Sequence, residues 1–229
     1  MIKSFAEDIW ILEGEVVKMY GFVPFVTRMT IVKLQNGSLW IHSPLAEFVD
    51  FSTIDELGRV AHIIAPNKIH SLGVDPWRKR YPEAKVWGSP EFNKRHEDIV
   101  LDGVISDEQT YPWQDDIDHQ VVNGHAILDE VAFLHKKSRS LILTDLIQKH
   151  DPARETWFWK VLKGWAGILG QNGSTPRDVR LSFKDKQAAR QSIDTILKWD
   201  FENLVISHGF CLKGNAKKEV TRCFDWLMI

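Results

Sequence analysis

The segment VAHIIAPNKIH (Val60–His70) decides the fold of this chain. It opens with an apolar run rich in β-branched residues, which predicts a fully buried strand. Pro66 lacks the N–H that a central strand needs, so we expect the strand to end at Ala65. His70 follows closely after that end. Because strand ends hold side chains rigidly, His70 is a candidate functional residue.

Two later segments have the same arrangement. Leu141–Asp145 (LILTD) is an apolar run that ends in a carboxylate, and Leu204–Gly209 (LVISHG) is an apolar run followed by His208. Gly124-His125 lies earlier in the chain. Side chains of this kind that meet at one sheet edge would form a metal site. Imidazole and carboxylate ligands together suit zinc, iron or manganese.

In this order the segments resemble the motifs of the metallo-β-lactamase superfamily. Gly124-His125 resembles the second motif, Thr144-Asp145 the strand that ends in Asp, and Ser207-His208-Gly209 the last motif. The first motif of that family, His-x-His-x-Asp-His, is incomplete in this chain. If His70 matches its final His, the earlier His and Asp positions hold Ala65, Asn67 and Ile69. The chain is therefore identified as a divergent branch of the superfamily, a domain of unknown function.

The resemblance implies an α/β fold, a four-layer αββα sandwich. Residues 1–229 would form a single metallo-β-lactamase-like domain, with an aromatic-rich helical insertion at about residues 150–182. His70, Asp145 and His208 would occupy the second of the family's two metal positions, with Asp145 as the bridging carboxylate. His125 and Asn67 would remain at the first position. Since neutral Asn is a poor zinc ligand, we expect a site for one ion.

The expected function is that of a metal-dependent hydrolase acting on an ester, thioester, amide or lactone through metal-bound hydroxide. His125 and Asp145 are the predicted catalytic residues, and His125 would serve as a ligand or proton shuttle. Zinc is the first candidate cofactor, with iron and manganese as alternatives. A vestigial polar pocket without metal would instead indicate a non-catalytic small-molecule-binding or regulatory protein. Two His and one carboxylate also suit an iron-dependent redox protein.

Several polar residues have two interpretations. Asn67 is a candidate substrate- or water-orienting amide, or a turn residue at the strand end. For Glu130, a surface or hydrogen-bonding role is favoured over catalysis. His42, His62 and His135 are expected to be structural. Solvated positions are predicted for His96, His119 and His150, which lie in polar stretches.

The aromatic segment is the second unusual feature, in a chain with ten Trp. Successive residues of a helix diverge by about 100°, so its aromatic side chains cannot all face one core. The segment is predicted to form a pocket wall or lid, a homodimer contact or plain core. Trp157 and Trp159 are candidate substrate-binding residues. The aromatic residues concerned are Trp157, Phe158, Trp159 and Trp165.

Composition excludes several classes of protein. A net charge of −2 does not favour binding to nucleic acid. The two cysteines make neither a zinc spacing nor a disulfide framework. The sequence shows no apolar signal region and no uninterrupted apolar stretch of membrane-spanning length. A cytoplasmic protein that binds a small-molecule substrate or ligand is therefore the expectation.

Local patterns predict the elements around these motifs. Asn36-Gly37 between two β-rich runs predicts a hairpin, and a helix is expected after an N-cap at Ser52 or Thr53. A strand is expected over residues 121–123, and helices over 156–169, 185–199 and 215–227.

Overall fold

A computed structural model describes residues 1–19, 21–47 and 49–228 of the chain. The contacts between residues divide it into two compact units, Met1–Asp118 and His119–Ile229. Each unit has a hydrophobic core of its own. The organisation of residues 1–229 as a single domain stays a prediction.

The N-terminal unit is built on a seven-stranded sheet whose strands follow chain order. The first four strands pair antiparallel, and the pairs from β4 to β7 are parallel. The strands are β1 (Lys3–Ala6), β2 (Ile9–Met19), β3 (Val23–Lys33), β4 (Leu39–His42), β5 (Val60–Ala65), β6 (Lys85–Gly88) and β7 (Gly103–Val104).

The predicted β5 is confirmed residue for residue, and every one of its residues is buried. The predicted hairpin between β3 and β4 is also confirmed. Its turn depends on Gly37, whose φ of 81° is easily adopted without a Cβ atom. The Asn36 side chain accepts a hydrogen bond from the Ser38 amide at 2.9 Å and so fixes the turn.

Two helices of this unit, α1 (Phe51–Leu57) and α2 (Val74–Arg80), contribute to the core beside the sheet. The predicted N-cap of α1 at Ser52 or Thr53 is wrong. Asp50 caps the helix, because its carboxylate accepts a hydrogen bond from the Ser52 amide at 3.1 Å.

The C-terminal unit has a four-stranded sheet in the order β11-β10-β9-β8. Strands β9 and β10 pair antiparallel, whereas β10 and β11 are parallel neighbours. The strand predicted over residues 121–123 is wrong, because β8 ends where it was expected to begin. The bounds are β8 (Ile117–Val121), β9 (Val131–His135), β10 (Ser140–Leu143) and β11 (Asn203–Ile206).

Four α-helices belong to the described part of this unit, and the sequence patterns missed one of them, α4. The predicted α5 is confirmed, with Asp185 as its N-cap, since its carboxylate accepts from the Ala188 amide at 3.0 Å. No helix in the described ranges has the length and apolar character needed to cross a membrane. The helices are α3 (Trp157–Trp165), α4 (Arg177–Ser182), α5 (Lys186–Lys198) and α6 (Ala216–Met228).

A close backbone contact fixes the chain after β11. The Lys149 amide donates to the His208 carbonyl at 2.9 Å, and the Phe210 amide donates to the Lys149 carbonyl at 3.0 Å. Gly209 lies between these bonds with a φ of 106°. A Cβ atom there would overlap the Lys149 carbonyl group. Glycine is therefore required both by its φ and by the approach of the neighbouring backbone.

We predict that Gly209→Ala lowers the free energy of unfolding by about 3 kcal/mol, because overlap adds to backbone strain. Gly167→Ala is the matched control. Its φ is 77°, but no atom lies within 4 Å of the added methyl group, so only about 1 kcal/mol of strain is expected. Urea unfolding followed by circular dichroism measures both losses, and equal losses would contradict the close contact.

Candidate metal centre

Asp145 and His208 meet at the ends of the parallel strands β10 and β11. Leu143 pairs with Ile206, so each ligand candidate lies two residues beyond a paired position. Both side chains are buried. His208 Nε2 lies 3.2 Å from Asp145 Oδ1. The predicted approach of these two residues is confirmed.

The separation of these two atoms suits metal ligation. Two ligand atoms held about 2.1 Å from a tetrahedral zinc ion lie about 3.4 Å apart. The observed 3.2 Å between Nε2 and Oδ1 agrees with that value. One imidazole nitrogen and one carboxylate oxygen are ligands that zinc, iron and manganese all accept. The pair therefore fits a divalent ion in both chemistry and spacing.

Glu130 holds the backbone that presents Asp145. This buried carboxylate lies just before β9 and reaches the turn after β10. One oxygen accepts the Thr144 amide at 2.7 Å, and the other accepts the amides of Asp145 at 2.8 Å and Leu146 at 3.1 Å. Three hydrogen bonds to one buried carboxyl group fix the turn, so the position of Asp145 is set before any ligand arrives. The hydrogen-bonding role expected for Glu130 is confirmed.

The environment of Glu130 disfavours its charge. Burial, and secondly the nearby Asp145 carboxylate, raise the pKa of Glu130 from 4.5 to about 7. The donors at Thr144 and Asp145 act in the opposite direction. Two carboxyl groups thus share a buried region in which a cation would stabilise both charges.

A chain of side-chain hydrogen bonds leads from α3 to Asp145. The Lys163 ammonium lies 3.2 Å from His150 Nδ1, and His150 Nε2 lies 3.2 Å from Gln148 Oε1. The Gln148 amide nitrogen in turn donates to Asp145 Oδ1 at 3.2 Å. Every donor in this series of hydrogen bonds has an acceptor if His150 is neutral and protonated at Nε2. The series therefore orients the Gln148 amide, which supports the Asp145 carboxylate.

The prediction that His150 is solvated is wrong, since only 2% of its surface is exposed. Burial, the Lys163 ammonium and His208 lower the pKa of His150 from 6.5 to about 2. Its ring stacks parallel to that of His208, with centroids 6.1 Å apart. One sequence signal points to this position. The polar run at Gln148–Asp151 closely follows a buried strand, as Asp145 does.

In the N-terminal unit, His70 is fixed by the turn after β5. The Asn67 side-chain oxygen accepts the backbone amides of Ile69 at 2.9 Å and His70 at 3.0 Å. Asn67 is fully buried. These contacts support the interpretation of Asn67 as a turn residue rather than a substrate-binding amide.

Ser43 orients the imidazole of His70. Its hydroxyl oxygen lies 2.6 Å from His70 Nδ1, and its own amide donates to the Ile64 carbonyl at 3.0 Å. Ser43 thus continues the β4–β5 pairing and assigns Nδ1 of His70 to a hydrogen bond. A metal ligand commonly has its second ring nitrogen held in this way, which leaves Nε2 to coordinate. The sequence patterns did not predict this role of Ser43.

His125 has partners of its own within the C-terminal unit. Its Nδ1 accepts the amides of Ile127 at 3.0 Å and Leu128 at 2.5 Å. Its Nε2 lies 2.5 Å from the Ser182 hydroxyl, which donates to the Val179 carbonyl at 2.6 Å. Both ring nitrogens are therefore used in local structure. Service as a ligand or proton shuttle would require one of these bonds to break.

The aromatic candidates for substrate binding differ in exposure. Trp157 is 78% exposed on α3. Trp159 is half-buried and contacts the Phe158 ring edge-on, with centroids 5.0 Å apart. The predicted substrate contacts of Trp157 and Trp159 stay predictions.

A sequence-family model described as Domain of unknown function (DUF4336) matches residues 6–154. The chain belongs to the DUF4336 family. No curated protein sequence matches this DUF4336 chain.

Solved structures nevertheless share the fold of this DUF4336 protein. A metallo-β-lactamase from Pontibacter korlensis is 11% identical, with a TM-score of 0.67 over 100% of this chain and 98% of that one. VMB-1 is 8% identical, with a TM-score of 0.69 over 100% and 98% of the two chains. The mono-zinc form of FIM-1 from Pseudomonas aeruginosa is 9% identical, with a TM-score of 0.66 over 96% and 92%. The predicted metallo-β-lactamase-like α/β fold is confirmed.

We predict that Glu130→Gln changes the pH dependence of stability in chelator-treated protein. Because the folded pKa of Glu130 is raised to about 7, the wild type should lose stability as pH rises from about 4.5 to 7, by at most about 3 kcal/mol. The variant should lack that slope. It should also be less stable near pH 5, by about 1–3 kcal/mol, since an amide NH₂ would face backbone donors.

Urea unfolding at a series of pH values measures this slope. Glu202→Gln is the control, because Glu202 is an exposed residue of the same unit, and it should retain the wild-type pH dependence. An unchanged slope in Glu130→Gln would show that Glu130 does not titrate in this range.

Proposed function

We propose that this protein is a metal-dependent hydrolase with one divalent ion held by His70, Asp145 and His208. Its substrate would be an ester, thioester, amide or lactone. The observation that carries the proposal is the 3.2 Å separation of Asp145 Oδ1 and His208 Nε2 at adjoining strand ends. The shared fold of solved metallo-β-lactamases and the match of His70 to the final His of the first motif add support.

The proposed ligand set omits His125, whose ring nitrogens are engaged with backbone and Ser182. It also omits Asn67, whose oxygen closes the turn before His70. Two imidazoles and one carboxylate remain, which leaves room in the coordination shell for water or substrate. Zinc fits this set, and so do iron and manganese.

A bound divalent ion would polarise a substrate carbonyl and lower the pKa of a coordinated water. The protein's own residues set the conditions for that chemistry. Glu130 fixes the turn that carries Asp145, and Gln148 supports the carboxylate through Oδ1. Ser43 holds Nδ1 of His70, so the imidazole is already oriented. This pre-arrangement reduces the reorganisation that a reaction would otherwise require.

The alternative is a binding or regulatory protein on the same fold. Ala65, Asn67 and Ile69 favour it, because they stand at motif positions that would otherwise ligate or orient a metal. Such a protein would bind a small molecule without turnover. Metal content and hydrolysis together distinguish the two functions.

We expect metal-stripped protein to take up about one zinc, iron or manganese ion per chain when each is supplied. His208→Ala and Asp145→Asn should each lower the metal affinity at least about 100-fold, because each removes a ligand. Mass spectrometry of the metal after dialysis measures uptake. His119→Ala, a histidine outside the proposed site, should bind the ion as the wild type does. Equal affinity in all variants would contradict the ligand set.

The loaded protein should hydrolyse at least one member of a panel containing an aryl ester, an acyl thioester, a lactone and a β-lactam. His208→Ala should lose that activity, and His119→Ala should keep it. A stoichiometric ion without turnover of any substrate would support the binding protein instead.

We predict that Ile69→Asp raises metal affinity, by about tenfold or more, because it places a hard anionic ligand beside His70 at the motif's Asp position. Leu72→Asp is the control, since its exposed side chain lies in the same turn. Isothermal titration with zinc measures both variants. Equal affinity in Ile69→Asp and the wild type, with folding intact, would count against the motif assignment.

A further inference from the structure

Helix α3 presents its apolar residues to solvent. Trp157 and Trp165, near its two ends, are 78% and 69% exposed, and Phe158 between them is 55% exposed. Val161 and Leu162 are exposed as well. These five side chains form what we call the α3 apolar face. Lys163 is the buried residue of this nine-residue helix, all of which the structure describes. An ordinary surface helix has the opposite arrangement.

Buried ionic contacts hold α3 in this orientation. The Lys163 ammonium donates to Glu155 Oε1 at 2.5 Å and lies 3.2 Å from His150 Nδ1. Only 7% of the Glu155 side chain is exposed. Rolling the helix to bury the α3 apolar face would separate this pair and leave a buried charge uncompensated. The outward orientation of the face is therefore fixed by this buried pair and does not result from fraying of the helix.

Two basic residues, Lys160 and Arg177, border the α3 apolar face. The helix contains no acidic residue, and its basic residue outside the buried Lys163–Glu155 pair is Lys160. Lys160 is exposed. The Arg177 guanidinium lies 5.3 Å from the centre of the Trp165 ring. Aromatic and aliphatic side chains bordered by basic groups match the polar head groups and upper acyl region of an anionic bilayer.

A second copy of the chain fits this face less well. In a two-fold dimer the same patch meets itself, so both copies would bring their basic residues Lys160 and Arg177 to one interface. No acidic side chain of α3 is present to compensate. An anionic bilayer supplies the missing negative charge.

We propose that α3 is a membrane-surface helix that docks flat on phospholipid bilayers with anionic head groups. Trp157, Phe158 and Trp165 enter the head-group region, and Lys160 and Arg177 meet the phosphates. This attachment is independent of the proposed hydrolase activity.

Co-sedimentation with vesicles tests the proposal. The full chain should bind vesicles of equal parts phosphatidylcholine and phosphatidylglycerol, and should bind pure phosphatidylcholine much less. Phe158→Ser and Lys160→Glu should each weaken that binding about tenfold. Phe22→Ser and Lys218→Glu are the matched controls, because both positions are exposed outside α3. Both controls should bind as the wild type does.

Three results would overturn the proposal: no binding to the mixed vesicles, equal binding to both kinds of vesicle, or binding unaffected by Phe158→Ser. Analytical ultracentrifugation without lipid addresses the dimer. Self-association that Phe158→Ser abolishes, in a protein that ignores vesicles, would assign the face to a second copy. Metal loading does not enter this measurement, so its outcome is separate from that of the ligand test.

Discussion

The hydrogen bonds of Glu130 are the interaction on which the candidate site depends. A buried carboxylate at the start of β9 accepts three successive amides in the turn after β10. Without these hydrogen bonds, the three amides would be buried and unsatisfied. The turn would then no longer be held in the conformation that directs Asp145 towards β11. The parallel pairing of β10 and β11 then determines that His208 arrives beside Asp145. One long-range carboxylate and one strand pairing thus account for the geometry of the ligand pair.

Polar burial around this pair is extensive for the interior of a small unit. His150, Gln148 and Lys163 lie behind Asp145, and each has its hydrogen-bonding capacity directed by the next. Lys163 also pairs with Glu155, and this pair holds α3 with its apolar residues outward. Buried ion pairs of this kind contribute little net stability but impose a specific arrangement. The same contacts therefore shape both the surroundings of the ligand pair and an exposed apolar surface.

Local patterns were sufficient for the elements whose neighbours in sequence decide their structure. The uninterrupted apolar run of β5 and the amphipathic periodicity of α5 are examples, and the strand-end positions of Asp145 and His208 are others. Local patterns did not predict features that depend on a residue distant in the sequence. Glu130 reaches a turn fourteen to sixteen residues away. The polar run Gln148–Asp151 shows its position after a strand but does not show that His150 is buried.

Helix α3 is a second case in which local sequence patterns did not show which residues are buried. Plain core was one predicted role of its aromatic residues, and it is wrong for three of the four, which are exposed while Lys163 is buried beside Glu155. Sequence periodicity predicts that a helix has an apolar and a polar face. It does not predict which face packs inward here, because that depends on the pairing of Lys163 with Glu155, which forms only in the folded unit.

We have proposed that His70, Asp145 and His208 hold one divalent ion. Anomalous diffraction from crystals of the zinc-loaded protein, collected on both sides of the zinc absorption edge, would locate that ion. We predict one anomalous peak bonded to Asp145 Oδ1, His208 Nε2 and His70 Nε2. A peak at other residues, or none beside the Asp145–His208 pair at saturating zinc, would contradict the account.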